Sequence, residues 1–266
     1  MKIAIIGTGN LGKSIAMGLL KQKAFTSLYL TKRNLDDLRE FKKLNGVVVT
    51  ENNLEAVQNS AIIIFAVQPR HFENILASTC EVLSERHCVI STITGFSIAK
   101  IEAIIGTGFP IFRVMPNTAI AVEKSMTCIS ANSIASPQIA KVEAVFKLLG
   151  HTVIIPENKM QAATVVCASG IAFWMRLIRA SSQAAIQLGF DAKEAQDLAM
   201  FTCEGTASLL IANGNHPEEE IDKVTTPKGC TIAGLNAMEN FGLSAALIQG
   251  MVTSFEKINS IKKEQI

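Results

Sequence analysis

The glycine pattern near the start of the chain constrains the fold more than any other feature. Gly7, Gly9 and Gly12 follow an apolar run over residues 3–6 and open a helical pattern that extends to about residue 22. Glycines at this spacing, between a strand and a helix, are typical of a turn that binds a dinucleotide. The first permits the tight turn, the second lets the backbone approach a pyrophosphate, and the third allows close packing of helix on strand. N–H groups at the start of the helix would bind the phosphates. The residues predicted to hold them are Gly7, Thr8, Gly9, Asn10, Leu11 and Gly12.

Residues 1–156 alternate short apolar runs with helical patterns. Several runs are continuously apolar, which is typical of strands that helices cover on both faces. The alternation predicts an α/β domain with a doubly wound, parallel Rossmann sheet. The predicted strands span residues 3–6, 27–31, 47–49, 61–66, 88–92, 110–115, 126–130 and 152–155.

After Pro156 the strand-like runs end, and long helical patterns follow near residues 158–189, 192–213 and 229–259. Asp191 and Glu194 have the spacing of a capping box, and Gly189 and Gly214 are expected to end helices. The sequence therefore predicts an all-α domain over residues 157–266. Its helices are apolar on more than one face, and a domain of this size cannot cover them alone. We therefore expect an obligate homodimer whose helical halves interlock.

Composition argues against several classes of function. The formal net charge of +2 gives no basic surface for nucleic acid. The six cysteines contain no Cys-x-x-Cys pair and the four histidines are dispersed, so no metal site is expected. Arg176 and Arg179 interrupt the longest apolar stretch, residues 162–189, which favours a buried helix over a membrane span. With no targeting signal recognised, the expected location is the cytoplasm.

The tip of the second predicted strand favours NADPH over NADH. An acidic residue there would bind the ribose 2′-hydroxyl of NAD. Thr31, Lys32 and Arg33 instead offer a hydroxyl and two cations, which suit the 2′-phosphate of NADP. NADH is kept as a second cofactor, since many such sites accept both.

The carboxyl ends of further strands are expected at the same edge of the sheet, where ligands gather. Small or polar residues follow these strands, and they indicate one crevice for the ribose and the nicotinamide. They are Ala66, Val67, Gln68 and Pro69 after the fourth strand, Thr94 and Gly95 after the fifth, and Met115 and Asn117 after the sixth.

A loop of hydroxyl, proline and glycine residues over residues 222–235 leads into the last helical pattern. Thr225 or Thr226 is expected to cap that helix, and unpaired N–H groups from Gly229 to Thr231 would form an anion site. A substrate carboxylate would bind there. The alternative is a plain capped helix start.

Several motifs, in one order along nearly the whole chain, resemble the pyrroline-5-carboxylate reductase family. They are Gly7-x-Gly9-Asn-Leu-x-Lys-Ser, Ala66-Val-x-Pro69, Arg113-Val-Met-Pro-Asn-Thr118, Ala168-Ser-Gly-x-Ala-Phe173, His216-Pro217 and Val224-Thr-x-Pro-x-Gly-x-Thr-Ile-Ala-Gly-Leu235. The resemblance implies a Rossmann domain followed by a helical dimerisation domain. It also implies dimers that assemble further, commonly into decamers. The implied activity is NADPH-dependent reduction of 1-pyrroline-5-carboxylate to L-proline, the last step of proline biosynthesis.

The resemblance also implies roles for single residues. Backbone N–H groups at the start of the last helical pattern would bind the substrate carboxylate. The hydroxyl of Thr231 would bond the ring nitrogen, which makes Thr231 the predicted catalytic residue. Asn53 would approach the adenosine part of the cofactor, and Ser169 and Gly170 would let two helices approach closely beside the substrate. The predicted substrate-binding residues are Thr225, Thr226, Gly229, Cys230, Thr231, Ser169 and Gly170.

The chain departs from the family pattern at several positions. Members usually carry Lys where Gln68 stands and Gly where Lys228 stands, which keeps two alternatives open: a reductase of another cyclic imine, and an NADP-binding regulator with weakened catalysis. A β-hydroxyacid dehydrogenase is disfavoured, because the helical pattern over residues 160–189 lacks the lysine that serves as its general acid. Cys230, where members usually carry Thr or Ala, needs no covalent role in hydride transfer.

Overall fold

A computed structural model describes residues 1–264, with side chains described as far as Ser260. The chain forms two compact units. The first comprises Met1–Ser169 together with the end of the last helix from Phe255, and the second comprises Gly170–Ser254. The first unit carries the β-sheet, whose last strand ends at Ile154, and the second is helical.

One eight-stranded sheet forms the centre of the first unit. Its strands are β1 Lys2–Ile6, β2 Ser27–Thr31, β3 Val47–Thr50, β4 Ile62–Phe65, β5 Cys88–Ser91, β6 Ile111–Met115, β7 Ser125–Ala131 and β8 Gly150–Ile154. They lie in the order β3-β2-β1-β4-β5-β6-β7-β8. Neighbouring strands are parallel except β6 and β7. Each predicted strand is present, with ends within two residues of the prediction, so the doubly wound fold is confirmed.

The antiparallel pairing of β7 corrects the expectation of an all-parallel sheet. Only a 3₁₀ turn, Thr118–Val122, lies between β6 and β7. A parallel neighbour requires a crossover of a dozen or more residues, whereas a short connection returns the chain in the opposite direction. The next crossover contains a helix, Ile139–Lys147, and β8 is accordingly parallel to β7.

Side chains of β1 alternate between two cores, one on each face of the sheet. Ile3 and Ile5 belong to a cluster that includes residues of the helices Asn10–Lys21 and Ile139–Lys147. Ala4 and Ile6 belong to a second cluster with residues of the helices Asn53–Gln58, Pro69–Thr79 and Ile98–Ile105. Both clusters are fully covered at β1, which explains why this strand is continuously apolar. Truncating one of these isoleucines to alanine would cost about 2–5 kcal/mol of stability.

Helices flank the sheet and lead into the second unit. The helices up to Ser169 are α1 Asn10–Lys21, α2 Asn53–Gln58, α3 Pro69–Thr79, α4 Ile98–Ile105, α5 Ile139–Lys147 and α6 Met160–Ala163, followed by a π-helix over Thr164–Ser169. Further 3₁₀ turns span Leu35–Leu38, Phe41–Lys43, Cys80–Val82, Ser136–Gln138 and Glu157–Lys159. From residue 170 the helices are α7 Gly170–Gln187, α8 Ala192–Asn213, α9 Pro217–Lys223, α10 Cys230–Asn240 and α11 Leu243–Glu264.

The predicted helix signals are partly correct. Asp191 and Glu194 form a capping box at the start of α8, and Gly214 ends it in the left-handed conformation, as predicted. The prediction of one helix over residues 229–259 is wrong. Gly242 adopts a φ of +79° between α10 and α11, a conformation that interrupts a helix. Helix α9, which begins with Pro217 in its first turn, was not predicted.

The second unit buries almost none of its own surface. Its buried residues are Gly170, Ser182 and Ala195, all small, whereas large apolar side chains such as Leu188, Ile211 and Phe241 are exposed. The stretch Glu157–Gln187 is long and apolar enough to cross a membrane by length and composition, with 17% of its most apolar window buried. Helices with uncovered apolar faces require another surface to bury them.

Candidate functional site

A cleft of about 540 Å³ opens at the carboxyl edge of the sheet. It lies where β1, β2 and β4 end, and β1 pairs with both of the others. The order of strands reverses at β1, and ligands of doubly wound sheets bind at such a point. The residues around the cleft are Ile6, Gly7, Thr8, Gly9, Thr31, Lys32, Arg33, Asn34, Glu51, Asn53, Ala66, Val67, Gln68, Arg70, His71, Asn74 and Ile75.

The cleft brings together many of the residues that the sequence predicted for cofactor binding. Those that line it are Gly7, Thr8, Gly9, Thr31, Lys32, Arg33, Asn53, Ala66, Val67 and Gln68. Predicted residues outside its lining are Asn10, Leu11, Gly12, Pro69, Thr94, Gly95, Met115 and Asn117. The cleft thus gathers the glycine turn with the residues predicted at the adenosine and ribose, whereas the start of α1 and the residues predicted at the nicotinamide lie outside its lining.

The glycine loop is held against the ends of the neighbouring strands. The N–H of Thr8 donates to the carbonyl oxygen of Thr31 at 2.8 Å, and the N–H of Gly7 donates to the Thr31 hydroxyl at 3.3 Å. Gly7 has a φ of +92°. A Cβ at Gly12 would lie 2.5 Å from the carbonyl oxygen of Gly7, so this glycine is required by the packing of α1 on the loop.

Gly9 differs from these two glycines because no packing in the protein requires it. A Cβ built at Gly9 would meet no atom within 4 Å, yet the residue lines the cleft. Its backbone is therefore open to an approaching ligand. A bare backbone at this position suits a pyrophosphate, which must come close to the chain.

The start of α1 offers unused hydrogen-bond donors. Gly9 is the N-cap, no side chain caps the helix, and its first turn holds no acidic residue. Among the described residues, the N–H groups of Asn10, Leu11 and Gly12 have no acceptor. The buried hydroxyl of Thr8 also has no hydrogen-bond partner there. Donors at a helix N-terminus attract anions, so the loop fits the phosphates of a dinucleotide.

The two cations at the tip of β2 are not equivalent. The Lys32 ammonium lies 2.5 Å from the Asp37 carboxylate. The hydrogen bond and charge of Lys32 hold the pKa of Asp37 below its ordinary value, so Asp37 is ionised at neutral pH. Arg33 forms no ion pair within the described part of the chain. Arg33 is therefore the cation best able to bind an added phosphate, and Lys32 is partly neutralised.

Sequence reasoning missed the wall of the cleft that α3 supplies. Arg70, His71, Asn74 and Ile75 share one face of this helix, since they are spaced as i, i+1, i+4 and i+5. That spacing would have indicated a common face once the crevice was placed after β4. Glu51, which directly follows β3, also lines the cleft and was likewise not predicted. Ile6 and Asn34, beside predicted residues, complete the missed set.

The strand ends predicted at the nicotinamide are tied to their surroundings. The Thr92 hydroxyl donates to the carbonyl oxygen of Phe65 at 2.9 Å, which links the ends of β5 and β4. Gly95 has a φ of +80°, and a Cβ there would meet no atom within 4 Å. The Asn117 side chain donates to the carbonyl oxygen of Cys167 at 3.0 Å and accepts the N–H of Ala119 at 2.9 Å. Both polar atoms of Asn117 are thus bonded within the protein.

The loop before α10 corrects one prediction. Neither Thr225 nor Thr226 caps this helix: its N-cap is Gly229, without a side-chain bond. The Thr225 hydroxyl donates instead to the carbonyl oxygen of Ile221, one turn back in α9, at 2.7 Å. Because the end of α9 lies within reach of this hydroxyl, the local bond replaces the cap.

The N–H groups at the start of α10 are only partly free. That of Gly229 donates to the carbonyl oxygen of Thr226 at 2.9 Å. Those of Cys230 and Thr231 have no acceptor among the described residues. Cys230 is exposed and Thr231 half-buried. The predicted anion site therefore retains donors at Cys230 and Thr231, at the N-terminus of an eleven-residue helix.

The remaining predicted substrate residues lie where the π-helix passes into α7. Ser169 is the last residue of the π-helix and is half-buried, and Gly170 is the buried first residue of α7. π-helical turns are rare and occur frequently at functional sites.

Comparison with known proteins identifies the family. Residues 157–261 match the family model for pyrroline-5-carboxylate reductase dimerisation, and residues 2–95 match that for NADP oxidoreductase, coenzyme F420-dependent. Pyrroline-5-carboxylate reductase 2 of Dictyostelium discoideum is 40% identical over 272 residues, which cover 96% of this chain and 91% of the relative. The chain belongs to the pyrroline-5-carboxylate reductase family.

Other members of the family agree in sequence and fold. Pyrroline-5-carboxylate reductase 1 of Dictyostelium discoideum is 42% identical over 97% of this chain, although the chain spans only 49% of that protein. The structure of a pyrroline-5-carboxylate reductase from Coxiella burnetii superposes with a TM-score of 0.90 at 26% identity, covering 97% of each chain. The reductase of Plasmodium falciparum, determined with NADP bound, has a TM-score of 0.88 at 23% identity and so supports the fold alone.

Proposed function

We propose that this protein is a reductase that uses NADPH, or less favourably NADH, to convert 1-pyrroline-5-carboxylate to L-proline, the last step of proline biosynthesis. The observation that carries the proposal is the 40% identity to a pyrroline-5-carboxylate reductase along 91% of that enzyme's length. The open glycine loop above β1 and the free amides at α10 support it independently.

The cleft supports NADPH as the preferred cofactor. The bare backbone at Gly9 and the free N–H groups at the start of α1 would bind the pyrophosphate. Arg33 would bind the 2′-phosphate, because its guanidinium can donate two parallel hydrogen bonds and forms no ion pair among the described residues. Asn53, beside the cleft at the first position of α2, would contact the adenosine.

The bound cofactor supplies a hydride to the imine carbon of the substrate ring, and the protein positions the reactants. The N–H groups of Cys230 and Thr231 would hold the carboxylate, helped by the partial positive charge of the α10 N-terminus. The Thr231 hydroxyl would orient the ring nitrogen. Since a hydroxyl is too weak an acid to be the only proton source, solvent or a substrate already protonated would supply the proton.

The helical unit supports a homodimer. Its large apolar side chains are exposed, its buried residues are small, and its sequence matches the family's dimerisation model. We assign the apolar face of Glu157–Gln187 to contacts between subunits rather than lipid, because Arg176 and Arg179 lie exposed on the same stretch. We also propose that five dimers assemble into a decamer and that the protein is cytoplasmic. The boundary between its two domains is proposed to lie near residue 156. Light scattering should give twice the 28.6 kDa chain mass or an even multiple of it.

A reductase of another cyclic imine is the second candidate. Gln68 lines the cleft where family members usually carry lysine, so the local charge differs from theirs. An NADP-binding regulator with weakened catalysis rests on Gln68 together with Lys228, where family members usually carry glycine.

The deciding experiment is NADPH oxidation by the purified protein with a panel of substrates. The panel contains 1-pyrroline-5-carboxylate, cyclic imines with larger rings, and 2-keto acids. Fastest oxidation with 1-pyrroline-5-carboxylate is expected. Faster turnover of a larger ring would establish the second candidate, and NADPH binding without oxidation by any substrate would establish the regulator.

A further inference from the structure

Two cysteine thiols that the proposed reaction does not use are in contact. The sulfur atoms of Cys128, on β7, and Cys167, in the π-helix, lie 3.7 Å apart. Cys128 is buried and Cys167 is half-buried. Within the described part of the chain, no other two cysteine thiols form a hydrogen bond with each other. The thiols of Cys80 and Cys88, for example, donate to oxygen atoms.

We propose that Cys128 and Cys167 form a reversible disulfide when the protein meets a hydroperoxide, and that this bond slows the reductase. The formation of the bond stands on the geometry of the two thiols alone. The effect on turnover rests on the proposed function.

The surroundings of the two thiols assign them different roles. Either thiol can donate in this contact, and a hydrogen bond from the Cys128 thiol to a thiolate at Cys167 lowers the pKa of Cys167. The pKa of the Cys128 thiol rises, because its proton is held in that bond and because the site is buried. The thiolate is the nucleophile in thiol chemistry, and Cys167 is also the more exposed of the two. Cys167 is therefore the group that a peroxide meets first.

The reaction proceeds in two balanced steps. The Cys167 thiolate attacks one oxygen of hydrogen peroxide, the O–O bond breaks, and the hydroxide that leaves takes a proton to become water. The product is a sulfenic acid at Cys167. The Cys128 sulfur then attacks the Cys167 sulfur, the S–O bond breaks, and the Cys128 proton leaves with the hydroxyl as a second water. Two thiols are oxidised and the peroxide is reduced, and a thiol reductant reverses the bond by exchange.

The bond would act on residues predicted at the nicotinamide. Cys128 and Cys167 pack in one small cluster with Met115, the last residue of β6. The carbonyl oxygen of Cys167 accepts the Asn117 side-chain amide. The sulfurs must move together by more than an ångström to bond. Cys128 lies on a strand that pairs with β6 and β8, so the movement is expected mainly at Cys167 in the π-helix. The displacement would therefore reach Met115 and Asn117, while the adenosine cleft consists of other residues.

The test uses the purified full-length protein, reduced and then exposed to hydrogen peroxide. Remaining thiols are blocked, the protein is digested, and cross-linked peptides are identified by mass spectrometry. We expect a peptide pair joined through Cys128 and Cys167, a fall in kcat of about tenfold or more, as ångström-scale misplacement of reacting groups can produce, and a smaller change in the Kd of NADPH. Dithiothreitol should restore both the free thiols and kcat.

Variants separate the disulfide from other oxidation. Cys128→Ser and Cys167→Ser should keep their kcat after exposure to peroxide. Cys80→Ser is the control, because its hydroxyl can still donate to the Leu76 carbonyl oxygen. Its kcat should fall in peroxide as that of the wild type does. If the wild type yields no peptide pair joined through Cys128 and Cys167, the proposed disulfide is wrong. This measurement uses only the wild-type protein, so it does not depend on whether a variant folds. A cross-link with unchanged kcat overturns its effect on turnover. If peroxide lowers the kcat of Cys167→Ser as much as that of the wild type, the loss comes from another thiol. That result also overturns the proposed effect of the disulfide on turnover. A protein with no reductase activity disproves the proposed function, while the peptide map still decides the disulfide.

Discussion

Gly7 lies so close to Val67 that a Cβ built on the glycine would be 2.3 Å from Cγ1 of the valine and 3.1 Å from its backbone nitrogen. This contact joins the turn after β1 to the residues that follow β4, across the point where the cleft opens. Two backbone segments that line the cleft therefore approach each other closely, and the packing of the protein itself requires the glycine.

Gly7→Ala should destabilise the fold. The residue has a φ of +92°, which strains any L side chain, and the added methyl group would meet both the side chain and the backbone of Val67. We expect the free energy of unfolding to fall by about 2 kcal/mol or more. Urea unfolding followed by circular dichroism measures this loss. A variant as stable as the wild type would show that the loop shifts freely, which contradicts the close contact.

Gly9→Ala should affect the cofactor and leave the fold intact. This glycine has a φ of −82°, which any residue adopts, and its Cβ would meet no protein atom. We expect stability to stay within about 0.5 kcal/mol of the wild type. The Kd of NADPH, measured by fluorescence titration, should rise by about tenfold or more, since the methyl group would occupy the space that the pyrophosphate needs. Unchanged affinity would remove the glycine loop from the cofactor site.

The sequence predicted the centre of the sheet well because the central strands β1, β4, β5 and β6 are buried on both faces. Ile62–Phe65 and Cys88–Ser91 consist almost wholly of buried apolar residues, and such runs are legible without knowledge of the tertiary fold. The break at Gly242 and the hydrogen bond from Thr225 to Ile221 could not be predicted in this way. Both depend on how a helix end meets the next segment, and an isolated glycine or threonine within a helical pattern does not specify that.

Charge pairing at the tip of β2 was also beyond the sequence. Lys32 and Arg33 are adjacent, and Asp36 and Asp37 follow within the next turn. Only the structure shows that Asp37 pairs with Lys32 and that Asp36 pairs with Arg39. Of the two cations at this tip, Arg33 is the one that has no ion pair among the described residues, which gives the next prediction.

Arg33→Gln should weaken the binding of NADPH more than the binding of NADH. A charge-assisted hydrogen bond contributes about 1.5–3 kcal/mol, which corresponds to a rise of about tenfold or more in the KM for NADPH. The KM for NADH should change little, because NADH lacks the 2′-phosphate. Lys32→Gln is the matched control, and its effect should be smaller, since Asp37 already partly neutralises the lysine. Equal effects on both cofactors would show that Arg33 does not read the phosphate.

His87 should make the fold sensitive to mild acid. Its side chain is fully buried, its Nδ1 accepts the N–H of Ser84 at 2.9 Å, and burial lowers its pKa below 6.5. The unfolded chain therefore binds this proton more readily than the folded one. The stability that neutral His87 contributes is present in full above pH 6.5 and is lost as the pH falls below that value. The free energy of unfolding should fall by at most about 1.4 kcal/mol per pH unit.

The measurement for His87 is urea unfolding at several pH values between neutrality and pH 5. The control is His87→Asn, whose side-chain oxygen can accept the Ser84 N–H and which does not titrate. The difference in stability between wild type and variant should shrink as pH falls if the variant is the less stable at neutral pH. Paired carboxylates such as Glu143 and Glu220 have a pKa below 4.5, so their contribution is lost only in stronger acid. Parallel curves for the two proteins would show that His87 does not titrate on unfolding.

Thr231→Ala should lower turnover without affecting the fold. The Thr231 side chain forms no hydrogen bond within the described part of the chain and is half-buried, so its loss leaves no protein group unpaired. We expect kcat with 1-pyrroline-5-carboxylate to fall by about ten- to a hundredfold, as the loss of one hydrogen bond to a charged ring nitrogen implies. Thr231→Ser keeps the hydroxyl and should retain most of the activity. If both variants lost turnover equally, the effect would come from packing at the start of α10. If neither changed kcat or KM, the hydroxyl would not touch the reacting ring, and the free N–H groups of Cys230 and Thr231 would be left as the only contribution of this helix to the substrate.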